Sequence, residues 1–62
     1  MEVPTRIVEI VTVDDLRTTI KATAYDWNYG FFRVFTLVAM DFFDRDNVKE
    51  ILVDGDAISL PS

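Results

Sequence analysis

Apolar residues recur along the chain in short segments that turn-forming residues separate. Residues 5–13 are rich in β-branched types and apolar on both faces, which predicts a strand. Apolar and polar residues alternate over residues 16–26, which predicts a second strand. A hairpin tip is expected over residues 27–30, because Asn28 and Gly30 tolerate the positive φ angles of a tight turn.

Residues 31–43 form the most apolar segment, with aromatic or aliphatic side chains on both alternating faces. Periodicity alone does not separate a buried helix from a strand here, but aromatic and β-branched residues favour a strand. At ~3.3 Å per residue, a straight strand of this length is over roughly 40 Å long. We therefore expect one long strand that bends strongly, as strands of small barrels do.

The last third of the chain indicates a second hairpin. Apolar residues on both sides of Asp54 and Gly55 predict strands over residues 48–53 and 56–60. The alternative is a short helix over residues 47–54, since the segment starts with an N-cap residue type and continues with an apolar stripe. The strand is favoured, and the helix stays open.

Together these segments predict an all-β fold: a small, strongly bent, five-stranded barrel of the SH3 type, with residues 1–62 as its single domain. A chain of 62 residues buries only about 60% of its unfolded surface. It has no Cys and no His, so disulfides and the usual zinc sites are excluded. Because the chain is 50% hydrophobic, self-association is the expected source of additional stability.

The charge is unevenly distributed and acidic overall. The net charge is −5, and residues 41–62 hold six acidic against two basic residues. The overall field therefore does not attract a phosphate backbone. No apolar run approaches the ~20 residues of a membrane span and no signal-peptide pattern is present, so we expect the cytoplasm, including that of an infected host cell.

The sequence contains few residues that could catalyse a reaction. Without His or Cys, and with Ser59 and Ser62 as the only serines, no nucleophile–base arrangement is evident and no enzyme is expected. The aspartate pairs are interpreted as solvated turn residues, so no metal site and no cofactor are expected; these pairs are Asp14/Asp15, Asp44/Asp46 and Asp54/Asp56.

Aromatic residues around the first hairpin tip suggest two roles. Alternation places Tyr25, Trp27 and Tyr29 on the side of Arg17 and Lys21. Aromatic residues beside basic ones stack and hold single-stranded bases. The alternative is that Trp27 caps the barrel or anchors a contact between subunits.

The segment from Val48 to Ile58 resembles the second signature of the Sm and Sm-like (LSm) family, in which an apolar strand, a glycine turn and an apolar strand start follow one another. Val53, Gly55 and Ile58 carry this resemblance. The stretch Tyr25-Asp26-Trp27-Asn28 is similar to the first signature.

The resemblance implies a homo-oligomeric ring of about five to seven small barrels, joined through edge strands, that binds single-stranded RNA at its pore. Carried over by position, it implies five candidate RNA-binding residues: Asp26, Asn28, Asp54, Gly55 and Asp56. The aromatic pattern adds Trp27 and Tyr29 as candidates. The candidate interface residues are Val48, Ile51, Val53, Ile58 and Leu60. Asp54 stands where the family has a base-stacking arginine, which reverses the charge at the pore.

The acidic excess after residue 40 supports an alternative function. In this alternative, the chain is a small acidic protein of the phage inhibitor type that occupies a basic site on a host protein and binds no RNA. A purely structural assembly subunit, which binds neither, is a third possibility.

Overall fold

The computed structural model describes residues 3–61 and is all-β apart from one 3-10 turn, as the sequence predicted. Seven strands lie within these residues: β1 Arg6–Thr12, β2 Arg17–Ala22, β3 Ala24–Asn28, β4 Phe31–Phe35, β5 Met40–Asp44, β6 Val48–Val53 and β7 Asp56–Ala57. They form two antiparallel sheets with the strand orders β2-β1-β6-β7 and β3-β4-β5.

The hydrophobic core draws on both sheets. Val8 and Ile10 of β1 are fully buried, and β1 lies between β2 and β6. Phe32 and Val34 supply fully buried side chains from β4. The core cluster comprises Val8, Ile10, Ala22, Phe32, Val34, Val48, Ile51 and Val53. Alternation therefore divides each sheet into a core side and an outer side.

The strand predicted over residues 16–26 is interrupted at Thr23, where the chain passes from one sheet to the other. The Thr23 N–H and hydroxyl both donate to the Phe35 carbonyl, at 2.8 and 3.2 Å. Ala22 packs against the core before the interruption, and Tyr25 and Trp27 do so after it. The prediction that Tyr25 and Trp27 share a face with Lys21 is therefore wrong, because Thr23 shifts the alternation by one residue.

The single strand predicted over residues 31–43 is also wrong. The segment forms two antiparallel strands, β4 and β5, around a turn over residues 36–39. The Thr36 N–H donates to the Ala39 carbonyl at 2.8 Å, and the Ala39 N–H donates to the Thr36 hydroxyl at 3.0 Å. A threonine side chain thus closes this turn without Gly or Pro.

Residues 48–53 form a strand, so the favoured prediction is confirmed over the helix. A 3-10 turn over Arg45–Asn47 precedes it, with the Asp44 carboxylate accepting the Asp46 N–H at 2.9 Å. The final strand is shorter than predicted and covers Asp56–Ala57 only. The predicted count of five strands is wrong, because two predicted strands each divide in two. No helix within residues 3–61 is long and apolar enough to cross a membrane.

Candidate functional site

The outer side of the sheet β3-β4-β5 carries the largest group of exposed aromatic side chains in residues 3–61. The strand register places Asp26 opposite Arg33, and Arg33 opposite Phe42. We call this side the aromatic face, and its residues are Asp26, Phe31, Arg33, Phe35, Met40 and Phe42. Phe31, Met40 and Phe42 are exposed although apolar, which is typical of a contact surface.

The opposite side of the same sheet explains why these side chains face outward. Phe32 is fully buried, and the rings of Tyr25 and Trp27 lie 5.7 and 5.1 Å from its ring, centroid to centroid. These three rings complete the core on the inner side. Phe31 and Arg33, the chain neighbours of Phe32, must therefore point the other way.

Contacts within the aromatic face hold its side chains in place. The Phe31 and Phe42 rings meet edge to face, with centroids 6.4 Å apart. The Arg33 guanidinium lies 5.2 Å from the centroid of the Phe35 ring and donates from Nε to Asp26 Oδ1 at 2.7 Å. A second Arg33 nitrogen donates to the other Asp26 oxygen. Arg33 therefore lies on the sheet as a paired cation, not as a free phosphate-binding group.

This ion pair shifts the pKa of both partners. The hydrogen bond from Arg33 holds the pKa of the Asp26 carboxyl below its ordinary value of 3.8, and Asp26 raises the pKa of Arg33. Lys49 Nζ lies 2.8 Å from Asp15 Oδ1, in the turn between β1 and β2. This contact lowers the pKa of Asp15 and raises the pKa of Lys49. Both pairs stay ionised at neutral pH, and neither is suited to proton transfer there.

The turn over residues 36–39 adds exposed apolar surface next to the aromatic face. Leu37 and Val38 form its tip, and Val38 is 95% exposed. Met40 follows directly and belongs to the face. An apolar tip is unusual for a surface turn, since such turns normally carry polar residues.

Two hairpin tips have the same backbone geometry. Tyr29 and Gly30 have φ angles of 49° and 81°, and Asp54 and Gly55 have φ angles of 52° and 88°. Both are two-residue loops with positive φ at each position, which is the type I′ turn. Tyr29 is 96% exposed, so its ring adds to no packing within the chain.

The candidate RNA-binding residues come from both sheets. Those from the first hairpin belong to the three-stranded sheet, and those from the second lie beside the four-stranded sheet. Asp26 is paired with Arg33, Trp27 packs against the core, and Asp54 is hydrogen-bonded to Ile7. The remaining positions lie at or next to the hairpin tips; they are Asn28, Tyr29, Gly55 and Asp56.

The candidate interface residues lie mainly inside the chain. Val48, Ile51 and Val53 belong to the core cluster, and Ile58 and Leu60 are half-buried against it. Strand β6, which contains Val48, Ile51 and Val53, is paired on both sides, with β1 and β7. The side chains of this group thus contact their own chain.

The outer side of the four-stranded sheet is more polar. Arg17 and Glu9 form an ion pair there, and Lys21 lies opposite Ile7. Within residues 3–61, no three acidic side chains are close enough together to hold a metal ion, and no pocket is present. Two of the turn aspartates accept local hydrogen bonds instead: Asp14 from the Thr12 hydroxyl and Asp44 from the Asp46 N–H.

The sequence contained one signal for the aromatic face that the prediction did not use. Arg33 is the only charged residue within residues 31–40. A charged residue in an apolar strand marks the solvent side, which assigns Phe31 and Phe35 to that side as well. No family model, curated protein or solved structure matches the chain.

Proposed function

We propose that the chain is a non-enzymatic binding module that assembles with copies of itself, and that the aromatic face is the main contact surface. The observation that carries this proposal is the exposure of Phe31, Met40 and Phe42 beside the apolar tip of Leu37 and Val38. Removing apolar surface from water contributes about 25 cal/mol per Å², so covering this group stabilises an assembly.

The finer architecture is proposed as a small, strongly bent barrel of the SH3 or Sm-like type. Two features support it: β2 and β3 are halves of one segment bent at Thr23, and β6 returns to pair with β1 after the 3-10 turn. A cyclic assembly of about five to seven such subunits follows the same proposal. Its cytoplasmic location stays a prediction.

Light scattering coupled to size-exclusion chromatography tests self-association at micromolar concentrations. Phe42→Ser removes an exposed ring from the aromatic face and is expected to reduce the assembly to monomers. Val13→Ser is the matched control, because Val13 is 59% exposed against 57% for Phe42 but lies outside the face. Circular dichroism verifies that both variants fold.

A monomeric wild-type chain contradicts this proposal. The acidic interaction protein is then the better hypothesis, and recovery of one stoichiometric host protein on an immobilised chain supports it.

Single-stranded RNA binding is the second candidate function. The observation that favours it is the exposed pair Phe31 and Phe42 on an open antiparallel sheet, with Tyr29 exposed at the adjacent hairpin tip. Aromatic side chains on a sheet stack bases at about 1–3 kcal/mol per base. The paired state of Arg33 and the net charge of −5 oppose it.

Fluorescence anisotropy with labelled oligo-U tests RNA binding. We expect affinity that falls with salt and is lost in Phe31→Ala, while the control Leu16→Ala, an exposed apolar residue outside the face, binds as the wild type does. Absence of binding by the wild type at low salt contradicts this second function.

A further inference from the structure

Two strands of residues 3–61, β2 and β5, each have one unpaired edge and mostly exposed residues. β5 pairs only with β4, and β2 pairs only with β1, among the strands of residues 3–61. Open edges carry unpaired backbone N–H and C=O groups that accept a strand of another chain. The other two open edges suit this less, because β7 spans two residues and most of β3 is half-buried.

The backbone hydrogen bonds define which groups β5 presents at its open edge. The ladder between β4 and β5 is bounded by two bonds, from Thr36 N–H to Ala39 O and from Arg45 N–H to Gly30 O. Since bonded and non-bonded pairs alternate along an antiparallel ladder, Met40 is in a non-bonded pair. The same holds for the positions 42 and 44. Their N–H and C=O groups therefore point away from β4.

The same reasoning applies to β2. The Thr12 N–H donates to the Leu16 carbonyl at the start of the hairpin with β1. Counting along the register, the non-bonded positions of β2 are Arg17, Thr19 and Lys21. The Thr23 N–H, two residues further, indeed donates to Phe35 on that side. Each edge thus presents three sets of outward backbone groups at a spacing of two residues.

The charges of the two edges are opposite. β5 contains Asp41 and Asp44 without a basic residue, and β2 contains Arg17 and Lys21 without an acidic one. Within residues 3–61, Lys21, Asp41 and Asp44 take part in no ion pair, whereas Arg17 pairs with Glu9. The register places Lys21 and Asp44 on the outer side of their sheets, and Asp41, opposite the buried Val34, on the inner side. Like edges therefore repel each other, while unlike edges attract.

We propose that β5 of one copy adds to β2 of the next copy and extends one sheet across the contact. This inference rests on the proposed self-association and adds an edge-to-edge contact to the one that the aromatic face makes. The contact is heterologous, since two different edges meet, and repetition by rotation closes a ring. The aromatic face then continues beside the polar outer side of the neighbour's β2, since Met40 and Phe42 lie on the joined strand.

Charge reversal on each edge, followed by mixing, tests this contact. Lys21→Glu alters the β2 edge and Asp41→Lys alters the β5 edge; each alone is expected to raise the dissociation constant of the assembly by roughly tenfold or more. Native mass spectrometry of an equimolar mixture, with one variant isotope-labelled, is expected to detect assemblies that contain both variants, because an unaltered β5 edge meets an unaltered β2 edge in them. Controls are Arg6→Glu, in the doubly paired strand β1, and Asp56→Lys, which change charges of the same sign away from the β2 and β5 edges.

The outcomes separate this contact from self-association in general. If both edge variants are monomeric and mixing yields no mixed assembly, the inference is overturned. If the edge variants assemble as the wild type does while Phe42→Ser does not, the inference is overturned and the proposed function stands. A monomeric wild type overturns both. Circular dichroism confirms that each variant is folded.

Discussion

Asp54 and Ile7 exchange two hydrogen bonds where the β6–β7 turn meets the start of β1. The Asp54 N–H donates to the Ile7 carbonyl at 2.8 Å, and the Ile7 N–H donates to Asp54 Oδ1 at 3.0 Å. The carboxylate thus extends the ladder between β1 and β6 by one bond. A residue predicted to face a ring pore therefore has a structural contact within its own chain.

Asp54→Gly is expected to lower the free energy of unfolding by about 1 kcal/mol, because the Ile7 N–H loses its acceptor while the turn keeps a residue suited to positive φ. Asp54→Asn is the matched control, since its amide oxygen still accepts the bond and asparagine tolerates the same φ. Urea denaturation followed by circular dichroism measures both. Equal stability of the Gly and Asn variants contradicts a structural role for the carboxylate.

Tyr29→Asn is expected to raise the free energy of unfolding by about 0.5–1 kcal/mol. Tyr29 has a φ of 49° and is almost fully exposed, so the ring contributes little packing, whereas asparagine suits the type I′ position better. Thermal denaturation measures the change. A clear loss of stability contradicts this prediction, because it shows that the exposed Tyr29 ring packs on the chain.

Acidification is expected to destabilise the fold through the Asp26–Arg33 pair. The pKa of Asp26 is lowered from 3.8 in the folded chain by the hydrogen bond from Arg33. The pair therefore contributes fully to the free energy of unfolding above the ordinary pKa of Asp26. This contribution is lost as the pH falls from about 4 through the lowered pKa of Asp26 in the folded chain. Denaturation midpoints from pH 6 to pH 2 measure it.

Asp26→Asn is expected to flatten this pH dependence. Asp56→Asn provides the comparison, because Asp56 is exposed and outside the ion pairs of residues 3–61. Equally steep profiles for the wild type and Asp26→Asn contradict the role of this pair.

Ile51→Asp is expected to abolish folding and not to report on assembly alone. Ile51 is fully buried in the core, and an unpaired carboxylate there costs more than about 4 kcal/mol, a large part of the stability of so small a domain. The loss of β-type circular dichroism measures it. Ile51→Val is the conservative control and is expected to cost about 1 kcal/mol. A folded Ile51→Asp chain contradicts the position of β6 in the core.

Hairpins that contain glycine were predictable, whereas interruptions without glycine were not. Gly30 and Gly55 located both hairpins from residue type, although Tyr29 and not the expected Asn28 takes the positive φ beside Gly30. The turn at residues 36–39 reads Thr-Leu-Val-Ala, and these residues are as apolar as the strands beside them. Its closure depends on the Thr36 side chain, which composition does not reveal.

The aromatic face was missed for the same reason. With residues 31–43 taken as one strand, positions 31 and 42 fall on opposite faces, because they differ by an odd number. The turn brings Phe31 and Phe42 to the same side of two adjacent strands. The Thr23 interruption similarly reversed the expected side of Trp27. Local residue preferences therefore predicted the all-β class, while tertiary pairing determined which side chains are exposed.

Thr23 is one residue more than regular alternation allows between β2 and β3. If the chain continued through Thr23 as one regular strand, Ala24 and Asp26 would turn inward while Tyr25 and Trp27 would turn toward water. A carboxylate would then occupy the place of an indole. The irregular corner at Thr23 therefore determines which residues of β3 fill the interior.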